Sequence, residues 1–166
     1  MSPVIMGNLF SLLATGTDLF SAAAKSARSM LLAQTLSQVL LGASSFVLGG
    51  YSAVVQNCVS IVRNLTALGK GRSVAFERVL IVLAVVLGAA FNNLGWLGWL
   101  PILANLEYSV AVFRFKDNER ALKVAFAVCI VLFVVFNFAI SNYVGAGSNL
   151  VVLFTTIAAL VRGRRS

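Results

Sequence analysis

The sequence predicts an all-α membrane protein with seven transmembrane helices, and three features of the chain lead to that prediction. Of the 166 residues, 60% are hydrophobic and 11% are charged, and the mean hydropathy is +0.95. A water-soluble domain of this composition would expose a large apolar surface. The apolar residues form stretches close to the roughly 20 residues that a helix needs to cross a bilayer. Finally, basic residues cluster in every second break between those stretches.

Each predicted span is bounded by a polar or glycine-containing break. In chain order the apolar stretches cover residues 3–24, 28–48, 51–70, 77–97, 101–115, 120–140 and 143–161. The breaks between them are, in order, Lys25–Arg28, Gly49–Ser52, Lys70–Arg78, Asn92–Pro101, Arg114–Lys123 and Ser141–Tyr143. The first stretch lacks the basic flank of a cleaved secretory signal, so we expect it to be retained as a span. Breaks this short leave no room for a soluble domain, and we expect one membrane domain over residues 1–166.

The distribution of Lys and Arg predicts the orientation. Twelve of the 13 basic residues lie in the first, third and fifth breaks or in the C-terminal tail, namely Lys25, Arg28, Lys70, Arg72, Arg78, Arg114, Lys116, Arg120, Lys123, Arg162, Arg164 and Arg165. The thirteenth, Arg63, lies in the third span towards the same side. Because loops rich in Lys and Arg stay in the cytoplasm, we expect a cytoplasmic C-terminus and an external N-terminus. We interpret Trp96, Trp99, Tyr51 and Tyr143 as anchors at the outer interface.

A shift of the chain by 92 residues against itself suggests an internal repeat. It superimposes Arg28 on Arg120, Phe46 on Phe138, Tyr51 on Tyr143, Asn57 on Asn149, Gly71 on Gly163 and Arg72 on Arg164. Three spans cross the membrane an odd number of times, so an extra fourth span is needed to give both units the same orientation. The sequence therefore predicts two parallel three-helix repeats, residues 1–73 and 99–166, joined by a linker helix in residues 74–98. Repeats of this kind place a substrate site near the bilayer midplane.

Composition argues against several classes of function. The chain has no histidine, and Cys58 and Cys129 lie in separate apolar stretches, so a metal cluster or a nucleophile–base pair has little to build on. We therefore expect no enzymatic activity, no metal and no cofactor. The net charge of +8 is explained by topology and by anionic lipids rather than by nucleic acid. The expected partners are the bilayer and a small polar solute of unknown identity, and self-association is left open.

Amide side chains inside the spans are the candidate solute ligands. Asn57 and Asn149 each lie 13 residues before a basic residue at the end of their span, which is on the order of 20 Å along a helix. Both are then near the midplane, on equivalent helices of the two repeats. The other candidates are Gln34, Gln38 and Gln56. The alternative is that these amides hydrogen-bond between helices, as amides commonly do in membranes.

Three ionisable residues form a second candidate group. Asp18, Glu107 and Arg63 each lie seven residues before a basic residue of the predicted cytoplasmic side, in one layer roughly 10 Å inside it. An isolated charge is costly at that depth, and pairing lowers the cost. We expect Arg63 to pair with a carboxylate in a cluster that closes the inner side of a cavity. The remaining carboxylate is then available for gating or coupling, or for simple contact with the interface.

Three segments of the chain resemble a known family. They are Tyr51-Ser-Ala-Val-Val-Gln-Asn-Cys-Val-Ser-Ile-Val-Arg-Asn, Trp99-Leu-Pro-Ile-Leu-Ala-Asn and Val112-Phe-Arg-Phe-Lys. These segments are similar to YgjV-type bacterial inner-membrane proteins, and the similarity extends over nearly the whole chain. That family in turn resembles the MtN3/PQ-loop group, which contains the SWEET and SemiSWEET sugar transporters and the KDEL receptor. The resemblance implies a bacterial inner-membrane location, a 3+1+3 helix arrangement and a central cavity.

Together these features favour a small transporter that binds a polar solute between two three-helix bundles and alternates access by rocking them. A membrane-embedded receptor or a structural subunit without transport is the alternative. It is favoured by a departure from the SWEET pattern: Pro3 and Pro101, the only prolines, lie near the starts of their spans, and no Pro-Gln dipeptide is present.

Overall fold

The computed structural model describes residues 2–69 and 73–162, and in those ranges the chain forms helices and no β-strand. The helices are α1 (Pro3–Ala23), α2 (Ala27–Val47), α3 (Tyr51–Leu68), α4 (Val74–Ala90), α5 (Trp99–Phe115), α6 (Glu119–Ala139) and α7 (Tyr143–Arg162), with a 3-10 turn at Gly95–Gly98 before α5. The predicted all-α class is confirmed. Some residues on which the predicted orientation and the predicted repeat rest lie outside the described ranges. They are Lys70, Gly71, Arg72, Gly163, Arg164 and Arg165.

Six of the helices begin and end within two residues of the predicted spans, but the fourth does not. We predicted a span over residues 77–97, whereas α4 ends at Ala90. The chain turns at Asn92, whose side chain accepts a hydrogen bond from the Leu94 amide (3.1 Å) and donates one to the Gly95 carbonyl (2.7 Å). Gly95 then adopts a left-handed φ of 58°, so the apolar residues after it lead into α5 instead of extending α4.

The outer surface of the bundle is apolar, as a membrane protein requires. Large hydrophobic side chains such as Phe20, Phe46 and Phe154 are exposed. Within residues 2–69 and 73–162, five helices are long and apolar enough to cross a membrane, namely α1, α2, α5 with its 3-10 turn, α6 and α7. By contrast α4 has only 17 residues, and α3 carries several buried polar side chains. Since such a surface is stable only in lipid, the protein is a multi-pass membrane protein.

Six helices form a closed ring, and the seventh lies outside it. Around the ring α1 packs on α2, α2 on α3, α3 on α5, α5 on α6, α6 on α7, and α7 again on α1. Helix α4 packs on the outside of this ring, against α3 and α5. Its buried residues, Glu77, Leu80, Ala84 and Gly88, fall on one stripe at three- and four-residue spacing. The ring is therefore complete without α4, which leaves the ring helices to define any central site.

The two ends of the bundle differ in charge. The first end holds the start of α1 and the turns at 48–50, 91–98 and 140–142, and it has no charged residue; we call it the charge-free end. The opposite end holds the turns at 24–26 and 116–118 and the end of α7; we call it the basic end. Its described basic residues are Lys25, Arg28, Arg78, Arg114, Lys116, Arg120, Lys123 and Arg162. Trp96, Trp99, Tyr51 and Tyr143 are exposed at the charge-free end, where we predicted anchors.

Close packing of α4 against α3 and α5 depends on Gly88. A Cβ on Gly88 would overlap the Gln56 side-chain amide and lie 2.8 Å from the Ile102 side chain, so Gly88→Ala is expected to force α4 away from α3 and α5. We expect a lower thermal midpoint in detergent by several degrees, since overpacking costs about 1–3 kcal/mol. The matched control is Gly16→Ala on α1, where no atom lies within 4 Å of the new Cβ. Equal midpoints for the two variants would contradict this account of the α4 contact.

Candidate functional site

A narrow cavity lies at the centre of the ring, and all six ring helices contribute to its wall. Its volume is about 50 Å³, which is room for a few water molecules. The lining residues, in chain order, are Asp18, Gln38, Leu41, Ser45, Asn57, Ser60, Arg63, Asn105, Tyr108, Phe126, Cys129, Ile130, Phe133, Asn137, Asn142, Asn149 and Val152. The cavity combines polar side chains with an apolar wall from α6, an arrangement typical of sites for small polar molecules.

Three amide side chains in this wall have no partner among the residues that the structure describes. Asn57 and Asn149, which we predicted to lie at one depth, line the same cavity, and Gln38 joins them. Among the described residues none of the three side chains forms a hydrogen bond, although Asn57 is buried. The alternative role for these three, hydrogen bonding between helices, therefore does not apply in this conformation. An amide left without a partner in a buried site is costly unless water or a ligand satisfies it.

A cluster of hydrogen-bonded side chains lies between the cavity and the charge-free end. We call Asn142, Asn137, Ser11 and Ser44 the Asn142 cluster. The Asn142 side chain donates to the Ser11 hydroxyl (2.8 Å) and to the Asn137 carbonyl oxygen (3.1 Å). Ser11 and Ser44 are hydrogen-bonded to each other at 2.9 Å, and the Ser44 hydroxyl also donates to the Gly7 carbonyl at 2.8 Å. These bonds hold α1, α2 and the α6–α7 turn together.

A second cluster lies towards the basic end and is centred on Arg63. The guanidinium is 1% exposed, and its Nε donates to the Asn64 side chain at 3.0 Å. Its Nη1 donates to the Asn105 carbonyl oxygen at 2.5 Å and to the Ser109 hydroxyl at 3.2 Å. The guanidinium carbon also lies 4.7 Å from the centre of the Tyr108 ring, a cation–π contact. We call these five residues the Arg63 cluster.

The expected ion pair of Arg63 is not formed. Within the described ranges, which include every Asp and Glu of the chain, no carboxylate lies within 4.0 Å of the guanidinium. Its partners are neutral amide and hydroxyl groups instead. Asp18 lines the cavity, as Arg63 does, whereas Glu107 lies in a separate groove between α5 and α6 with Arg120. The prediction that all three charges close one side of the cavity is therefore wrong for Glu107, and its role in coupling stays untested.

Comparison with known proteins identifies the family. Residues 5–166 match the family described as Imp-YgjV, bacterial inner membrane protein. The chain belongs to this family. No curated protein and no solved structure matches the chain. The predicted YgjV-type membership and inner-membrane location are thus confirmed, while a wider relation to the MtN3/PQ-loop group stays a prediction.

Two predicted ligands of this Imp-YgjV family member lie behind the cavity wall. The Gln34 carbonyl oxygen accepts a hydrogen bond from the Tyr108 hydroxyl at 2.9 Å. The Gln56 carbonyl oxygen accepts one from the Asn105 amide at 2.7 Å, and its amide donates to the Ala84 carbonyl of α4 at 2.8 Å. Neither glutamine lines the cavity. Both instead orient residues that do, so the structure gives them a positioning role.

Sequence reasoning missed four polar residues of the site in the Imp-YgjV chain. They are Asn105, Tyr108, Asn137 and Asn142, all of which line the cavity. A signal was present for two of them: Asn105 and Asn137 are amides inside apolar spans, the same feature that identified Asn57. Asn142 lies in a break between spans, where a polar residue is ordinary, and Tyr108 has no distinguishing pattern. Their roles follow only from the packing of the helices.

Proposed function

We propose that this protein is a small transporter, which binds a polar solute in the central cavity and opens to the two sides of the membrane in turn. The observation that supports it best is the set of unpartnered amides of Asn57, Asn149 and Gln38 in a narrow cavity with a polar cluster at each end. These amides offer donors and acceptors that a polar solute can satisfy. The proposal assigns the cavity a binding role and no catalytic step.

Correspondence between the two halves of the chain supports the predicted 3+1+3 arrangement. A shift of 92 residues carries α2 (Ala27–Val47) onto α6 (Glu119–Ala139) without any offset at either end. The same shift carries the first residue of α3, Tyr51, onto the first residue of α7, Tyr143. In this proposal α1–α3 form the first half and α5–α7 the second. Helix α4 then serves as the linker outside the ring.

The turns that follow α2 and α6 also share their geometry. Gly49 and Ser141, 92 residues apart, both adopt left-handed φ angles, 75° and 61°. The next amide in each turn donates to a carbonyl five residues earlier, at 2.8 Å in both cases. The tilted rings of Phe46 and Tyr51 have their centres 6.2 Å apart, and the tilted rings of Phe138 and Tyr143 have theirs 6.3 Å apart. Agreement at this level favours a duplicated unit over chance similarity between apolar segments.

Both polar clusters join the two halves, which gives a simple mechanism for alternating access. Asn142 of the second half donates to Ser11 of the first. Arg63 of the first half donates to Asn105 and Ser109 of the second. A rocking motion of one half against the other separates one cluster while the other stays closed, as in transporters built from parallel repeats. In this proposal the basic end faces the cytoplasm, as the positive-inside rule predicts, so the Asn142 cluster is the outer gate and the Arg63 cluster the inner gate.

The native thiol of Cys129 reports on access to the cavity. Cys129 is buried in the cavity wall, whereas Cys58 is on the exposed face of α3. In a Cys58→Ser background, we expect a membrane-impermeant methanethiosulfonate to label Cys129 from spheroplasts and also from inverted vesicles, slowly from each side. Labelling from neither side, while unfolded protein labels fully, would contradict alternating access. In a Cys129→Ser background Cys58, which is exposed on α3 next to Asn57, faces lipid and should stay unlabelled, which is the control for non-specific reaction.

Solute flux separates transport from the alternative of a membrane-embedded receptor. The alternative has one observation in its favour: Pro101, in the first turn of α5, and Pro3, at the start of α1, leave the helix interiors without a proline hinge. Purified protein in liposomes should take up small polar solutes faster than empty liposomes. A solute that raises the thermal midpoint but does not enter the liposomes would support the receptor instead.

A further inference from the structure

Two buried side chains of opposite charge face the cavity without pairing with each other. Asp18 on α1 is 7% exposed and Arg63 on α3 is 1% exposed, and both belong to the cavity wall. Among the described residues no salt bridge joins them or joins either one to another charged group. Unpaired charges at such burial are costly. A cavity that keeps two of them apart is complementary to a molecule that carries both charges.

Arg63 is arranged to receive a carboxylate. Its Nε and Nη1 are bonded to Asn64, Asn105 and Ser109. Its Nη2, by contrast, makes no hydrogen bond to any described residue. The guanidinium carbon also lies 4.7 Å from the centre of the Tyr108 ring, a contact that helps to hold the side chain in place. Guanidinium groups bind carboxylates strongly through N–H donors in a fixed plane, and Nη2 keeps two such donors.

Asp18 supplies the opposite charge. The Ser37 hydroxyl faces the Asp18 carboxyl group without forming a well-aligned hydrogen bond. No Lys or Arg nitrogen of the described ranges lies within 4.0 Å of it. A ligand ammonium group, with its three N–H donors, would satisfy a carboxylate in this position. Among the remaining wall residues, Asn57 and Asn149 can bond the polar part of such a ligand.

The size of the cavity restricts the ligand to a small molecule. A volume of about 50 Å³ corresponds to roughly three to five water molecules. A solute of similar bulk has about five or six non-hydrogen atoms, as glycine and alanine do. Ile130, Phe133 and Val152 form an apolar part of the wall, which suits a hydrogen or methyl side chain and offers no partner for a charged one.

We infer that the cavity binds a small zwitterion of the α-amino-acid class, with its carboxylate on Arg63 and its ammonium on Asp18. This inference rests on the proposed function in placing the ligand in the same cavity, and it deepens that proposal by naming the substrate class. In the empty protein the two charged side chains stay apart. In the bound state the ligand supplies the partner that each of them lacks.

The first test uses wild-type protein in detergent and a panel of ligands at equal concentration and ionic strength. Glycine and L-alanine carry both charges, propionate and ethylamine carry one each, and propionamide carries none. We expect the two zwitterions to raise the thermal midpoint by about 3 °C or more at saturating concentration, and the other three to have little effect. Equal shifts from propionate or propionamide would overturn the inference, since they lack one or both charges.

The second test uses a variant with a matched control. Asp18→Asn keeps the shape of the side chain but removes its charge, and we expect a loss of alanine affinity of about tenfold or more. Asp117→Asn makes the same chemical change at an exposed turn and should leave the affinity within about twofold. If Asp18→Asn is too unstable to purify, the ligand panel on the wild-type protein still decides. Equal affinities for wild type and Asp18→Asn would overturn the role of Asp18.

A third test measures uptake of radiolabelled alanine and of neutral solutes into the same liposomes. It shows whether the zwitterion site or the proposed transport function is wrong. Entry of a neutral polar solute such as glycerol, with no binding or entry of alanine, would overturn the zwitterion site and leave transport standing. Binding of alanine without entry of any solute would overturn transport and leave a receptor site. Entry of alanine that is competed by glycine and not by propionamide is the expected result.

Discussion

Arg63→Met is expected to open the basic end of the bundle. In the Cys58→Ser background, labelling of Cys129 from inverted vesicles should rise by about tenfold or more, while labelling from spheroplasts should change little. The reason is that Arg63 donates to Asn105 and Ser109 across the two halves. Hydrogen bonds to a charged group contribute about 1.5–3 kcal/mol each, and a shift of about 1.4 kcal/mol changes an opening equilibrium tenfold. Methionine fills a similar volume but donates nothing.

The stability of this variant should change less than its gating. Removal of Arg63 leaves the oxygen atoms of Asn105, Asn64 and Ser109 with fewer donors, but it also removes the cost of burying an unpaired cation. We expect the free energy of unfolding to change by less than about 2 kcal/mol, because these two effects oppose each other. Arg114→Met, at an exposed position on α5, is the control and should affect neither quantity. Equal labelling increases from both sides would contradict a gate at the basic end.

Arg63→Lys tests whether the shape of the guanidinium matters in addition to its charge. Lysine keeps the positive charge but has no planar group to lie against Tyr108 or to bond Asn64, Asn105 and Ser109 together. We expect intermediate labelling from the basic end and a loss of alanine affinity, because the ammonium group lacks the planar set of N–H donors that binds a carboxylate. Wild-type affinity in the lysine variant would show that a point charge is sufficient for the site.

Most of the helix boundaries could be predicted because each is set by a local signal. A polar or glycine-containing break interrupts an apolar stretch, and the energetic penalty for an irregular backbone in lipid confines turns to such breaks. The exception, the end of α4, has a local cause as well. Asn92 forms a turn with its own neighbours Leu94 and Gly95. The apolar residues that follow this turn were wrongly included in the fourth span. A hydropathy pattern does not reveal that turn, because the turn is formed by hydrogen bonds of one side chain.

The contents of the cavity could be predicted only in part. Depth along a helix follows from residue counting, and Asn57 and Asn149 indeed share one cavity. The direction of a side chain around its helix depends on tertiary packing, and there the prediction failed. Successive residues differ by about 100° around a helix, so Glu107 points into the α5–α6 groove while Tyr108, the next residue, faces Arg63. Equal depth was therefore not enough to make an ion pair.

Asn142→Ala is expected to produce the opposite asymmetry, together with a clear loss of stability. The Asn142 side chain donates to Ser11 and Asn137 and also accepts a hydrogen bond from the Gly145 amide (2.9 Å) at the start of α7. Loss of the helix cap costs about 1 kcal/mol, and the unpaired polar groups left behind cost about 1–3 kcal/mol more. We expect unfolding in mixed detergent–SDS micelles to become easier by about 2–4 kcal/mol in total.

Two further substitutions divide that effect into its parts. Asn118→Ala removes a similar cap, since the Asn118 side chain accepts from the Ala121 amide (3.0 Å) at the exposed start of α6, but it breaks no bond between the halves. It should cost about 1 kcal/mol and leave Cys129 labelling unchanged. Asn142→Ser keeps a capping oxygen and loses the amide donors, so it should open the charge-free end with less destabilisation. If Asn118→Ala also raised Cys129 labelling from spheroplasts, loosened helix ends and not a specific outer gate would explain the access.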